Sequence, residues 1–366
     1  MAELGFPAGP DDLGPGWFTA ALRSTRTIGD HVEVTSVHAE PIGIGIGVLA
    51  LLWRVQITYD RPGAGPPSVV LKLPHTGAES RHLAGAFRFY EREVRFYEEG
   101  ADRSPLRTPA RYASAYDEGS GDFVLVIEDL GDRRVYDQLE GCPPDPAART
   151  VRALGSHHAA WWESPDLARP WVMRVADPPN PQALVPALRQ SWPIIEGRFA
   201  SVLRGPVFEA ARRMPDVTVA LMERLSEPPL TLLHGDPRLD NLFFSDDVEG
   251  DDGVAFVDWQ ITGSGRGPYD VAYFLSQSLV PQVRKETERD LLAAYHQALL
   301  DGGVEGYSFE DCWEDYRLAT LFVLVYPLNA GSVDLVNHRA VALFTAMLER
   351  AVAAIIDLDA LELMPT

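Results

Sequence analysis

Leu232-Leu-His-Gly-Asp-Pro-Arg-Leu-Asp-Asn-Leu-Phe-Phe244 is the stretch that decides the fold. Inside it runs the spacing His-x-Asp-x-x-x-x-Asn, carried by His234, Asp236 and Asn241. Val254-Ala-Phe-Val-Asp-Trp-Gln260 then ends a second apolar strand on the carboxylate of Asp258. A single His-x-Asp in a turn is usually no more than a hydrogen-bonding loop pair. Two carboxylates and a carboxamide arriving in order, in neighbouring loops, make a much more specific pattern.

These residues resemble the phosphotransfer core of the aminoglycoside phosphotransferase and choline kinase superfamily, and the wording is nearest to its ecdysteroid-kinase-like branch. The resemblance covers roughly residues 30 to 350. It implies an α+β, two-lobed protein-kinase-like fold. Residues 1–130 would form a nucleotide-binding lobe, an antiparallel sheet with one main helix that ends in the hinge. Residues 131–366 would form a larger, mainly helical catalytic and substrate-binding lobe. The activity implied is transfer of a phosphoryl group from ATP, with Mg2+, to an alcohol. Such a reaction asks the protein to position a hydroxyl and to hold metal ions that neutralise the phosphates. By resemblance, Asp236 accepts or orients the hydroxyl proton, and Asn241 and Asp258 hold magnesium. His234 braces the loop and is not a base, and Asp270, ahead of an apolar helix, is expected to cap that helix and brace the same loop. Arg238 and Asp240 have no assigned role and read as solvated, although Arg238 is within reach of a phosphate or a substrate acid.

The upstream half supplies the expected nucleotide contacts. Gly43, Gly45 and Gly47 fall between two strand patterns, where glycine lets backbone N–H groups approach phosphates. A β-bulge or turn is the plainer alternative. No helix pattern follows them, so this is not a dinucleotide fingerprint. In Val69-Val-Leu-Lys-Leu73, Lys72 is a lone ammonium in an apolar strand. It needs a negative partner, since burying it alone is costly. Glu93 is the expected one, because Phe89, Phe96 and Tyr97 share its helical side and turn it inward; Glu91 is the alternative. Phe123-Val-Leu-Val-Ile-Glu-Asp-Leu130 resembles the inter-lobe hinge, with backbone near Glu128 and Leu130 on the adenine edge.

Local patterns predict strands over 32–40, 48–59, 69–73 and 123–127, and a helix over 86–99. Helices are predicted over 148–162, 182–203, 287–300, 309–325 and 338–356, with 230–260 alone β-like in that half. The acidic run from Ser245 to Gly253 reads as a solvated hairpin connection. The paired His157 and His158, in a segment resembling the superfamily's LxxHAxxW helix, read as core. Aromatic segments around Trp192, Trp313 to Tyr316 and Tyr326 either line an acceptor pocket or pack in the core.

Composition limits the partners. With 46% apolar residues the chain can bury a large core. A net charge of −21 works against nucleic acid and anionic membranes. No apolar run reaches the ~20 residues of a membrane span. The acidic, Gly/Pro-rich opening lacks a leader pattern, so a cytoplasmic location is expected. Two cysteines form no disulfide framework. The expected partner is a small hydroxylated acceptor that is steroid-like, hydroxyacyl or aminoglycoside-like, with no obligate protein partner. A protein kinase is disfavoured by the short stretch from Asp258 to Asp270. A nucleotide-binding pseudokinase or sensor, and a metallohydrolase using His234, Asp236 and Asp258, are the competing readings.

Overall fold

The computed structural model describes residues 5–7, 9, 12–43, 49–245, 253–329 and 336–365. The chain divides into two units, the first comprising Met1–Asp102 and Thr108–Asp132, the second Arg103–Arg107 and Arg133–Thr366.

In the first unit, β-rich patterning closes into one antiparallel sheet. After α1 (Pro15–Ser24) come β1 (Val34–Ile42), β2 (Ala50–Tyr59), β3 (Ser68–Pro74), α2 (Ala78–Ala86), α3 (Phe89–Arg95), β4 (Arg111–Tyr116) and β5 (Phe123–Glu128). The strand order is β1-β2-β3-β5-β4, antiparallel throughout. Val69 and Leu71 of β3, Val124 and Val126 of β5, and Val55 of β2 pack with Phe18 and Leu22 of α1. Burying these side chains is the main force holding the sheet together.

The helix expected over 86–99 begins three residues later, at Phe89, as α3 and runs on into a π-helical turn, with the separate α2 ending ahead of it at Ala86. Arg88, at φ +56, breaks α2 from α3, and the chain passes into the π-turn Phe96–Gly100. A left-handed arginine has no sequence signature, because that region ordinarily favours glycine, asparagine or aspartate. β4 also escaped the sequence patterns, since Arg111-Tyr-Ala-Ser-Ala-Tyr116 is mostly half-buried and only weakly apolar.

The second unit contains α4 (Pro144–Trp161), β6 (Met173–Arg174), α5 (Asn180–Ile194), α6 (Pro206–Leu225), β7 (Thr231–Leu233), β8 (Leu242–Phe244), β9 (Val254–Phe256) and β10 (Gly263–Gly265). These are followed by α7 (Pro268–Ser278), α8 (Pro281–Asp301), α9 (Phe309–Val323), α10 (Val325–Leu328) and α11 (His338–Asp357). Its strands are short, in a three-stranded sheet ordered β6-β10-β7 and a β8-β9 hairpin. The hairpin is closed by Ser245 N–H to Gly253 C=O at 2.9 Å. The rest of the acidic run lies outside the described residues. Sequence patterning missed α6, which carries Pro206 in its first turn and Pro215 inside. Its apolar stripe Val207, Ala210, Ala211, Met214, Val217, Leu221, Leu225 nevertheless sits at helical spacing and is buried. Among the described residues no helix is long and apolar enough to cross a membrane.

Candidate active site

Construction of the site in the second unit begins at β7, whose three residues are buried and deliver the chain to His234. Gly235 then takes φ +91, and a Cβ there would lie 2.5 Å from the Ile261 carbonyl oxygen. Only glycine satisfies both that dihedral and that approach. The turn is held by Asp270, fully buried, which accepts from the backbone N–H of His234 at 2.7 Å and of Gly235 at 2.9 Å. His158 Nε2 lies 3.2 Å from the same carboxylate, and its Nδ1 is 2.9 Å from the Tyr295 hydroxyl. Asp270 therefore braces the loop as expected. It does not cap its own helix, since it lies in the first turn of α7 behind the N-cap Gly267.

His234 is fully buried, and both ring nitrogens are engaged. Nδ1 accepts from Asp236 N–H at 3.3 Å and Nε2 donates to the Val257 carbonyl at 2.9 Å. Those bonds require the neutral tautomer, and burial pushes the imidazole below its ordinary value. With both nitrogens occupied, His234 is not a metal ligand, which removes one corner of the metallohydrolase reading.

Asp236 is gripped by Arg238, with Nε to Oδ1 at 2.7 Å and Nη2 to Oδ2 at 3.0 Å. Arg238 is thus not the solvated side chain expected from sequence. The fork forms because two residues apart in a tight loop, closed by Arg238 N–H to Asp236 C=O at 2.8 Å, the side chains fold back on one another. Burial alone would raise the Asp236 carboxyl, but the Arg238 charge and hydrogen bonds, aided by the Tyr273 phenol, hold it below the usual carboxylate range. Asp240 does remain partly exposed; burial raises it against the opposing pull of Arg238.

Asn241 is buried and turns Nδ2 toward Asp236, 2.9 Å from its carbonyl and 3.2 Å from Oδ2. That orientation presents its Oδ1 as an acceptor. Asp258 stands two residues past β9 at φ +65, a conformation aspartate tolerates, and accepts from Gln260 Nε2 at 3.3 Å. The two loops are tied by Val257 N–H to the Asn241 carbonyl at 3.0 Å. A carboxylate and an amide oxygen on adjoining loops are hard oxygen donors of the kind Mg2+ takes while keeping several waters. The donor set therefore fits the expected metal.

Residues the sequence did not single out complete the scaffold. Gln138, buried, accepts from Leu239 N–H at 2.8 Å and donates to the Gln277 carbonyl at 2.7 Å. Arg350 of α11 then donates to the carbonyls of Gln138, Gln277 and Leu139 at 2.7 to 2.8 Å. No local pattern marks either residue, because their partners lie 73 to 212 positions away along the chain. Tyr273 stacks on Tyr326, ring centroids 4.7 Å apart. His157 and His158 are core, as their setting suggested.

In the first unit, Lys72 Nζ meets Glu93 Oε1 at 2.6 Å, the two side chains only 7% and 1% exposed. Glu91 pairs with Arg88 instead, at 2.7 Å. Gly43 ends just past β1 at φ +66, while Gly45 and Gly47 lie outside the described residues. Glu128 closes β5, its N–H bonded to Ala110 C=O at 2.9 Å and its carboxylate accepting from Ala110 N–H at 3.0 Å. Leu130 is buried just beyond it.

The profile of the ecdysteroid kinase-like family matches residues 183–303. No curated protein sequence matches the chain. Among solved structures, the chain is similar to a putative aminoglycoside phosphotransferase from Ralstonia eutropha, with a TM-score of 0.54 at 14% identity over 95% of this chain and 98% of that one. It is similar to an aminoglycoside 2'-phosphotransferase in complex with GDP, with a TM-score of 0.53 at 12% identity over 93% and 98%. It is also similar to an ethanolamine kinase from Plasmodium vivax, with a TM-score of 0.51 at 10% identity over 86% and 81%. The chain has the protein-kinase-like fold of these small-molecule kinases, with an ecdysteroid kinase-like signature across residues 183–303.

Proposed function

We propose that the protein transfers the γ-phosphoryl group of ATP to a hydroxyl of a small molecule, acting in the cytoplasm without an obligate protein partner. The observation that carries this reading is the loop in which Asp236 is kept ionised beside Asn241 and bonded through Val257 to the loop of Asp258. In it, Asp236 accepts or orients the hydroxyl proton. Asn241 and Asp258 hold magnesium, which neutralises charge on the phosphates. In the first unit, Glu93 steadies Lys72 for the nucleotide phosphates, and the backbone near Glu128 and Leu130 takes the adenine edge. The ecdysteroid kinase-like match speaks for a steroid-like alcohol ahead of a hydroxyacyl compound or an aminoglycoside.

A nucleotide sensor without turnover draws on one feature: the Arg238 fork occupies both oxygens of Asp236. ADP release with Mg-ATP across pooled aminoglycosides, cholines, sterols, sugars and hydroxyacyl compounds separates the two. The kinase reading expects acceptor-dependent ADP that disappears in Asp236→Ala and Asp258→Ala. ATP binding with no turnover on any pool favours the sensor, and failure to bind ATP sinks both.

A further inference from the structure

Between Glu128 and Leu130, the residues assigned above to the adenine edge, lies Asp129. It stands one residue past the end of β5. Since Val69 faces Glu128 in the β3-β5 ladder, Asp129 falls opposite Ser68. Its carboxylate is saturated. Arg54 of β2 donates Nε to Oδ2 at 2.7 Å and Nη2 to Oδ1 at 3.2 Å. The Ser68 hydroxyl donates to Oδ2 at 2.5 Å, and Gly131 N–H to Oδ1 at 3.0 Å. Burial alone would raise this carboxyl, but Arg54 and Ser68 hold it below its ordinary value. A Cβ on Gly131 would sit 2.5 Å from Arg54 Nη2 and 3.0 Å from Asp129 Oδ1, so the fork closes only because residue 131 has no side chain.

We infer, on the nucleotide-binding reading above, that Asp129 is a positioning residue for the nucleotide base, with Arg54, Ser68 and Gly131 as its clamp. The covalent geometry gives the reason. The peptide plane from residue 128 to 129 carries the Glu128 carbonyl, and the plane from 129 to 130 carries the Leu130 N–H. Asp129 is the hinge between the two planes, and four hydrogen bonds to its side chain tie it to the middle of β2, the first residue of β3 and the backbone of Gly131. The Glu128 N–H, held by Ala110, secures the preceding plane from the β4 side. A base reads a donor and an acceptor at fixed spacing, so the orientation of both planes sets the selectivity. The clamp is not needed to hold the sheet, whose ladders already join all five strands.

Binding of ATP, GTP and UTP to the full-length chain, by calorimetry with magnesium present, tests this in wild type, Asp129→Ala and Arg54→Lys. Arg54→Lys keeps the charge and cannot form the fork, and it serves if Asp129→Ala fails to fold. Wild type is expected to prefer one base. The variants should lose about tenfold in affinity for that nucleotide and little for the others, so that the preference collapses, as loss of one or two oriented hydrogen bonds implies. A wild type without base preference, variants with unchanged preference, or an equal loss for all three nucleotides overturns the inference while leaving nucleotide binding intact. A wild type that binds none of them instead removes the nucleotide reading itself.

Discussion

Glu93→Leu separates what the Lys72–Glu93 pair does for folding from what it does for chemistry. The two side chains are 7% and 1% exposed and 2.6 Å apart. Both charges have been taken out of water, and at this burial the Coulombic gain does little more than offset the desolvation of each. Removing Glu93 takes away the carboxylate 2.6 Å from the buried Lys72 ammonium, and loss of one partner of a buried pair costs about 3–5 kcal/mol. That is a large part of the ~5–15 kcal/mol that holds a typical domain folded. Lys72→Met with Glu93→Leu removes both charges and refills the volume with apolar atoms. The double variant should return to within about 1 kcal/mol of wild type or exceed it. Lys72→Met alone should cost a similar amount, so the coupling across the cycle is about 5 kcal/mol or more in magnitude, well above the ~0.5 kcal/mol expected of independent sites. Urea denaturation of the four proteins measures it, and ADP release measures activity. Activity should be lost in the single and the double variant alike. A double variant as unstable as Glu93→Leu would show that the pair is a net structural asset, and one that keeps turnover would show that the lysine has no part in catalysis.

Three further outcomes are expected. Gly235→Ala should destabilise the protein by ~2 kcal/mol or more and abolish turnover, because φ +91 and the 2.5 Å approach to Ile261 both exclude a Cβ; thermal melting and ADP release check it. Gln138→Leu leaves the buried Leu239 N–H without its acceptor and should cost about 1–3 kcal/mol in denaturant, with kcat falling more than KM rises. His157, fully buried, is held well below its ordinary value by burial, so the unfolded chain takes up its proton first. Its contribution is therefore complete above the unfolded value near ~6.5 and is lost as pH falls, at up to ~1.4 kcal/mol per pH unit. Denaturation curves between pH 7.5 and 5.5 should be flatter by that slope in His157→Phe than in wild type, and parallel curves would refute the assignment.

The sequence made the Lys72–Glu93 pair legible because both halves carry local signals: a lone cation in an apolar strand, and a carboxylate on the aromatic side of a helix. Asp236, Asn241 and Asp258 were legible through order and spacing. Arg238 was misread because its fork depends on how tightly the loop turns back, which composition does not report. Gln138 and Arg350 gave no signal at all, since their purpose is to satisfy backbone groups that meet only when distant segments pack. The break at Arg88 is a third kind of miss. The surrounding contacts impose a backbone conformation that arginine does not prefer, and tertiary packing overrides local propensity.

The silence of Gln138 and Arg350 has a definite physical origin. Loops that must hold Asp236, Asn241 and Asp258 cannot bond their own backbone in a regular ladder, so each buried N–H and C=O needs a partner from elsewhere. Asp270 takes two of those N–H groups, Gln138 takes the Leu239 N–H, and His234 supplies the Val257 carbonyl with a donor. Every one of these partners is itself held: Asp270 by His158, Gln138 at its own carbonyl by Arg350, and His234 by Asp236 N–H. A buried network of this kind rigidifies only while all its members are satisfied. The residues that do the proposed chemistry, and the bracing His234 and Asp270, are therefore readable from local patterns, while Gln138 and Arg350, whose partners are distant in sequence, are visible only in the fold.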